Sequence, residues 1–525
     1  MVGSQSSIQV NPASASALVV SGIPSPLSQN TAAPVTVEAR DLYGNRATAY
    51  AGTVKFTSTD AQAVLPANYK FTTGTGLDNG IHTFTPGVTL KTLGTQSVTA
   101  TDTVTASIQG AQTGIMVISS AATTLVVSGV SSPQMAGTTS SLRVEARDSA
   151  GGIATGYTGT VRISTTDAQA TRPTDHTFTS SEAGVFTFTG LVLRTAATHE
   201  VTATDIVNAS ISGKQSGVVV TPAAATRLLV AAPPPGVTAG VPTESTVTAI
   251  DAYGNVAKSY GGTVHFTASD PQVSLTPTDY QFVGTDQGFH RFSGLVTFRT
   301  AGTQSLTATD TVSATINGTA SSIAVGPGPA ASLIVGGVVA PLTAGTPSSF
   351  TVEAKDAFGN RATGYSGTVA FGTSDPQGTV PAPHPFTPGD AGFYSATAVL
   401  RTAGSQSLSA ADTVNSAITG SLPAIPVNPT FAVTLTLTGI PAVVTAGDSN
   451  AATVTAYDQY NNVATGYVGT IHFSSPDDPG ASLPPDRAFL PGDLGRVTVA
   501  GVVLTTAGNR RVTAADTLTP SLQAT

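Results

Sequence analysis

In the stretch PVTVEAR (residues 34–40), Val35, Val37 and Ala39 alternate with Thr36, Glu38 and Arg40. A period of two puts the first set on one face of an extended strand and the second set on the other. The alternation returns in GTVKFTS (52–58), where Val54 and Phe56 share a face, and in TQSVTATD (95–102), where Val98 and Ala100 do. With SALVVSG (16–22), NYKFT (68–72), GIHTFTPGVTL (80–90) and ASIQGAQTGIMVI (106–118), residues 16–118 hold about seven strands. Turn formers separate them, and in DLYGN (41–45) Gly44 and Asn45 suit positive φ. No stretch sustains a helical period.

The pattern repeats. EARDLYGNRATAYAGTVKF (38–56) returns as EARDSAGGIATGYTGTVRI, TAIDAYGNVAKSYGGTVHF, EAKDAFGNRATGYSGTVAF and TAYDQYNNVATGYVGTIHF. Its first aspartate stands at 41, 148, 251, 356 and 458, in steps of 107, 103, 105 and 102 residues. A period near one hundred is the length of a β-sandwich domain and too long for a solenoid unit. The chain is therefore expected to be all-β, a tandem array of five immunoglobulin-like β-sandwich domains of about seven strands each. The expected boundaries are 17–119, 120–222, 223–327, 328–429 and 430–525, after a lead at 1–16. The linkers, such as TPAAAT (221–226) and GPGPAA (326–331), are short and rich in Pro and Ala. They predict a semi-rigid rod of roughly 200 Å, at ~40 Å per domain.

Composition narrows the function. Of the 525 residues only 10% are charged, there is no Cys or Trp, and 22 basic against 30 acidic residues leave a net charge of −8. No basic stripe suits nucleic acid, and no apolar run approaches the roughly 18 residues of a membrane span. The absence of Cys excludes disulfides and cysteine-bound metals. The sandwich pin of antibody domains is likewise missing, so cores rest on aliphatic residues, Phe and the recurring Tyr50, Tyr157, Tyr260, Tyr365 and Tyr467. Six lysines share no register across the repeats, which argues against repeated Lys–Asn isopeptide bonds.

Asp-x-x-Gly-Asn, then Gly-Thr-Val-x-Phe, then Ala-Gly-x-x-x-Val-Thr-Ala resembles the bacterial Ig-like repeats of invasin- and intimin-type surface proteins, over essentially the whole chain. Repeats 2 and 5 depart, with DSAGG and DQYNN in the turn. The resemblance implies an extracellular or cell-surface location and a non-enzymatic role as a spacer or stalk segment of an adhesin-like protein. Its partners would be neighbouring repeats of the parent protein. A multivalent array binding glycan or protein is an alternative, weakened by the lack of Trp.

Four positions per repeat are acidic in register, beginning with Asp41, Asp60, Asp78 and Asp102, and account for 20 of the 30 acidic residues. Three readings fit them. Aspartates beside Gly, Asn or Thr shape turns by accepting backbone N–H bonds. Alternatively, the basic turn of one repeat (Lys91, Arg194, Arg299 or Arg401) forms a salt bridge with the acidic end of the next. As a third reading, one end of the sandwich gathers carboxylates for Ca²⁺, with Asp41, Asp78, Asp102, Asp251, Asp286, Asp310, Asp356, Asp390 and Asp412 as candidate ligands. No dense Asp-x-Asp run supports it, and no cofactor is otherwise expected. The in-register pairs His82 with His290 and His265 with His472 lie on strands, and no catalytic motif is present. No enzyme is expected.

The two ends match each other. Residues 1–4 (Met-Val-Gly-Ser) read as an added start. SSIQV (Ser6, Ser7, Ile8, Gln9, Val10) corresponds to SSIAV at 321–325, the last strand of repeat 3, whereas repeat 5 stops before such a strand. Joined end to end, residues 525 and 5 continue the repeat in register. This reads as an excerpt from a longer array. Alternatively, the chain is a filament subunit, with the first strand of one copy completing the open fifth sandwich of another.

Overall fold

A computed structural model describes residues 3–525, so the first two residues of the Met-Val-Gly-Ser lead lie outside the described residues. By contacts the chain forms two compact units. One comprises the residues up to Arg227 with Ala249–Tyr260 and Gly284–Gly288, and the other comprises the remainder. The fold is all-β, a tandem series of Ig-like two-sheet sandwiches.

Repeat 1 sets the pattern with β1 (Ala17–Ser21), β2 (Leu27–Ser28), β3 (Ala32–Arg40), β4 (Thr53–Ser58), β5 (Tyr69–Lys70), β6 (Ile81–Thr89), β7 (Gly94–Asp102) and β8 (Gln109–Ile118). One sheet has the order β1-β3-β6 and the other β2-β8-β7-β4-β5. All pairs are antiparallel except the short β2, which runs parallel to β8 through Leu27 opposite Val117. The alternation sorts the faces as expected: Val35, Val37, Ala39, Val54, Phe56, Val98 and Ala100 all join one buried core with Ile115 and Val117. The one strand beyond the expected seven is the two-residue β2, and the expected strand at 68–72 shortens to the two-residue β5. At Gly110 the sheets approach so closely that a Cβ would overlap the Leu18 carbonyl oxygen.

Equivalent sheet pairs recur in the other repeats. Repeat 3 adds Ser274–Leu275, paired with Val296 and Thr297. Repeat 5 differs most. Its second sheet has the order Arg487–Ala488, Thr470–Ser474, Thr513–Asp516, Gln523–Ala524. In repeat 4 the strand Gly404–Asp412 pairs with the long last strand Thr419–Asn428 over its whole length. In repeat 5 the same element shrinks to Thr513–Asp516, because residues 508–512 have no ladder partner. At the other end, residues 3–16 form no strand, and Ile8 and Val10 stand 67% and 83% exposed.

Candidate functional site

The Asp-x-Tyr-Gly-Asn turn carries the most specific geometry. In repeat 3, Asp251 Oδ1 accepts the amides of Tyr253 (2.8 Å) and Asn255 (2.9 Å). Its Oδ2 accepts the Asn255 side-chain amide (2.8 Å) and the linker amide of Ala223 (2.9 Å). One carboxylate thus folds the turn, ties down the linker and fixes the Asn rotamer. Asn255 then reaches into repeat 2: Nδ2 donates to the Arg194 carbonyl at 2.7 Å, and Oδ1 accepts the Ala196 amide at 2.8 Å. A side-chain amide pairs here with backbone as one strand pairs with another.

The receiving turn is shaped by a second carboxylate. Asp167 accepts the amides of Arg194 (2.6 Å) and Thr195 (3.0 Å) and the Thr195 hydroxyl (2.7 Å). The aromatic of the first turn completes the contact. Tyr253 lies over Gly137, where a Cβ would overlap its hydroxyl, and Gly137 has a φ of +84°. The Arg194 guanidinium sits 5.8 Å from the Tyr253 ring centre.

The clamp recurs twice in the second unit. Asn360 bonds the Arg299 carbonyl (2.7 Å) and the Ala301 amide (2.9 Å), while Phe358 covers Gly240. Asn462 bonds the Arg401 carbonyl and the Ala403 amide, both at 2.7 Å, while Tyr460 covers Gly345. The expected junction salt bridge is not how these turns meet. The guanidinium of Arg299, like that of Arg194, lies against an aromatic ring, and each also donates to a carbonyl of its own repeat. The facing Asp251 and Asp356 spend their oxygens on their own turns and linkers.

Between repeats 1 and 2 the clamp is absent. Ala150 and Gly152 replace the aromatic and the Asn, and Asn30 (φ +62°) replaces the glycine they would cover. The Lys91 carbonyl is taken within its own repeat by Gln29 Nε2 at 2.6 Å. Asp148 Oδ2, deprived of the Asn, is buried with no hydrogen-bond partner. Two serines of the linker bridge the repeats instead: Ser120 donates to the Gln29 carbonyl (2.8 Å) and Ser119 accepts the Gly156 amide (2.7 Å).

A second device lies inside the sandwiches. The hydroxyl of Tyr50 donates to Asp102 Oδ2 at 2.5 Å, and Tyr157, Tyr365 and Tyr467 do the same to Asp205, Asp412 and Asp516. Burial, with the adjacent carboxylate, pushes each of these four phenols well above its ordinary range. A Cβ at Gly52 would overlap both members of the first pair, which explains the glycine of Gly-Thr-Val-x-Phe.

The candidate calcium ligands are placed apart. Asp41, Asp251 and Asp356 shape the clamp turns. Asp102, Asp310 and Asp412 cap the turn after their strands, as where Asp310 accepts the Val312 and Ser313 amides. Asp78 bonds Tyr69, Thr72 and His82, Asp390 caps the turn after Thr387, and Asp286 ends the short 3₁₀ turn Gly284–Asp286. Among the described residues no group of three or more His, Cys, Asp or Glu is arranged to hold a metal ion. His265 and His472 each face a carboxylate of the same repeat, Asp279 at 2.7 Å and Asp486 at 2.8 Å. Burial raises the Asp60 carboxyl, but bonds from Thr92, Lys91 and Gln62 outweigh it and hold its pKa below the ordinary range. Asp41 is lowered in the same way by Ala13, Asn45 and Tyr43. In repeat 5 the register slips by one. Asp478, not Asp477, accepts the Thr505 and Thr506 amides, while Asp477 pairs with Arg511 at the surface.

No family model and no curated protein matches the chain. Solved structures similar to it include invasin, a bacterial integrin-binding protein, at 16% identity and TM-score 0.32 over 82% of each chain. The Escherichia coli adhesin FdeC matches at 20% identity and TM-score 0.29, over 59% of this chain and 98% of that one. A tetra-tandem repeat from the extending region of a large adhesion protein matches at 19% identity and TM-score 0.27, over 78% of this chain and 99% of the other.

Proposed function

We propose that the chain is a non-enzymatic spacer, a run of Ig-like domains within a bacterial cell-surface or secreted adhesin-like protein. Each repeat is taken as one domain, with boundaries near residues 119, 222, 327 and 429. The observation that carries this reading is the clamp. Three successive junctions use the same Asn, the same aromatic-on-glycine contact and the same carboxylate-shaped turns. Conserving geometry at the joints while leaving the faces plain is what a structural segment requires, whereas a binding or catalytic site would distinguish one repeat from its siblings. The motif resemblance to invasin-type repeats points to the same surface location. No cofactor enters this reading.

The test is to place the chain between a surface anchor and a binding tip and remove one, two or three whole repeats. Tip accessibility should fall in step with the number removed, whichever repeats are chosen. Abolition by loss of one particular repeat, at any total length, would overturn the spacer reading in favour of a binding array.

A further inference from the structure

A side chain stands in for a strand a second time, inside the repeats. In repeat 1 the chain crosses from β1 to β2 through residues 22–26, and Gln112 of β8 grips this crossing. Its Oε1 accepts the Ile23 amide at 3.0 Å, and its Nε2 donates to the Ile23 carbonyl at 2.6 Å. Ser25 binds in the reverse direction: its hydroxyl donates to the Gly114 carbonyl (3.1 Å) and accepts the Met116 amide (3.0 Å). Repeat 2 has the same four bonds. Gln215 holds the amide and carbonyl of Val130 at 3.1 and 2.7 Å, and Ser132 holds the Gly217 carbonyl and the Val219 amide at 3.1 and 2.9 Å.

Repeats 3 and 4 share the frame without this staple. In all four repeats the short strand after the crossing lies parallel to the last strand, with Leu27, Gln134, Val237 and Leu342 opposite Val117, Val220, Val325 and Val427. One more main-chain bond follows in each, from Gln29, Ala136, Ala239 and Ala344 to the carbonyls of Ile118, Thr221, Gly326 and Asn428. Counted from these pairs, the glutamine position holds Ala320 in repeat 3 and Leu422 in repeat 4, and the serine position holds Pro235 and Ala340. None of these four side chains can donate or accept a hydrogen bond.

The staple joins the two ends of a repeat, between which tension passes when the chain is pulled from both sides. Because β2 and β8 run parallel, the chain before β2 and the chain after β8 leave from opposite ends of the pair. Pulling therefore slides the strands past each other and loads every bond between them at once, instead of peeling them apart in turn. Forced unfolding is governed by the unfolding rate, which falls when bonds that must break before the transition state are added.

We propose that the chain has a mechanical function graded along its length: repeats 1 and 2 are stapled to hold under tension, while repeats 3 and 4 open first, each releasing roughly 300 Å of chain at ~3.4 Å per extended residue. This rests on the spacer reading, since a segment held between an anchor and a tip is the one pulled in this way.

Magnetic tweezers holding the whole chain by its two ends at constant force test it. The steps of repeats 1 and 2 should outlast those of repeats 3 and 4 by about tenfold or more. Gln112→Leu, which installs the residue of repeat 4, should shorten the life of one long-lived step about tenfold, and Gln215→Leu the other. Ala340→Ser with Leu422→Gln should create a further long-lived step. Tyr50→Phe removes a bond of repeat 1 that does not join its first and last strands. It should lower the stability of repeat 1 in urea yet leave its life under force nearly unchanged. Equal lifetimes for the four repeats, or a loss under force from Tyr50→Phe as large as that from Gln112→Leu, overturns the proposal. Either result leaves the spacer reading standing, because that reading is measured by tip accessibility.

Discussion

The side-chain amide of Asn462 donates to the carbonyl of Arg401, 61 positions earlier in the chain, and its oxygen accepts the amide of Ala403. Asn462 itself is held by Asp458, which bonds both its backbone and its side chain at 2.9 Å. Replacing Asn462 by Ala strips two backbone groups of repeat 4 of their partners. Each lost bond costs about 1 kcal/mol. Amide exchange at Ala403 should speed up by about tenfold, while amides in the core of repeat 4 keep their rates.

The junction between repeats 1 and 2 lacks all three clamp residues, so its two sandwiches should vary more in mutual orientation than repeats 4 and 5 do. Installing the set as Asn30→Gly, Ala150→Tyr and Gly152→Asn should narrow the distance distribution between spin labels placed on repeats 1 and 2. Gly152→Asn also offers the orphaned Asp148 oxygen a donor. An unchanged width would mean that the two linker serines already fix the joint.

Tyr365→Phe removes the hydroxyl that donates to Asp412 Oδ2 while leaving the ring in the core. A buried carboxylate oxygen deprived of its partner costs about 1–3 kcal/mol, and repeat 4 should melt earlier by calorimetry. The phenol's pKa is raised on folding. Stability is therefore intact below the unfolded tyrosine value, near pH 10, and declines above it as the unfolded chain ionises first.

The buried aspartates titrate with the opposite sign. Asp60, Asp167, Asp270 and Asp375 have their pKa values lowered in the folded chain, where hydrogen bonds outweigh the opposing effect of burial. The unfolded chain takes up protons first, so stability is held above about pH 4 and lost progressively below it. In repeat 5, Asp478→Asn should destabilise the turn after Leu504 and Asp477→Asn should not, as read by urea melts at neutral pH. Equal effects would contradict the one-residue slip.

Much of this was legible in the residues. The alternation in residues 34–40 named the buried face of β3 without error, and the recurring Asp-x-x-Gly-Asn located the gripping turns of repeats 3 and 4, with its variant DQYNN marking that of repeat 5. The turn-shaping reading of the aspartates was also sound for Asp41 and Asp60. The salt bridge was misjudged because charge alone suggested that Arg194 seeks a carboxylate, whereas Asp251 is already saturated by its own turn. The Asn at the end of the motif read as a left-handed turn residue. Its one visible clue was that repeat 2 loses the Asn and the aromatic while repeat 1 loses the glycine they would cover.

Strand, face and repeat follow from the sequence because side-chain period and turn chemistry act between neighbours in the chain. The partners of Asn255, Asn360 and Asn462, and the pairing of Tyr50 with Asp102, join residues 52 to 61 positions apart. Such contacts depend on how sheets stack and how one repeat meets the next. Only the tertiary structure, by bringing two carboxylate-shaped turns face to face, decided that the motif is a clamp.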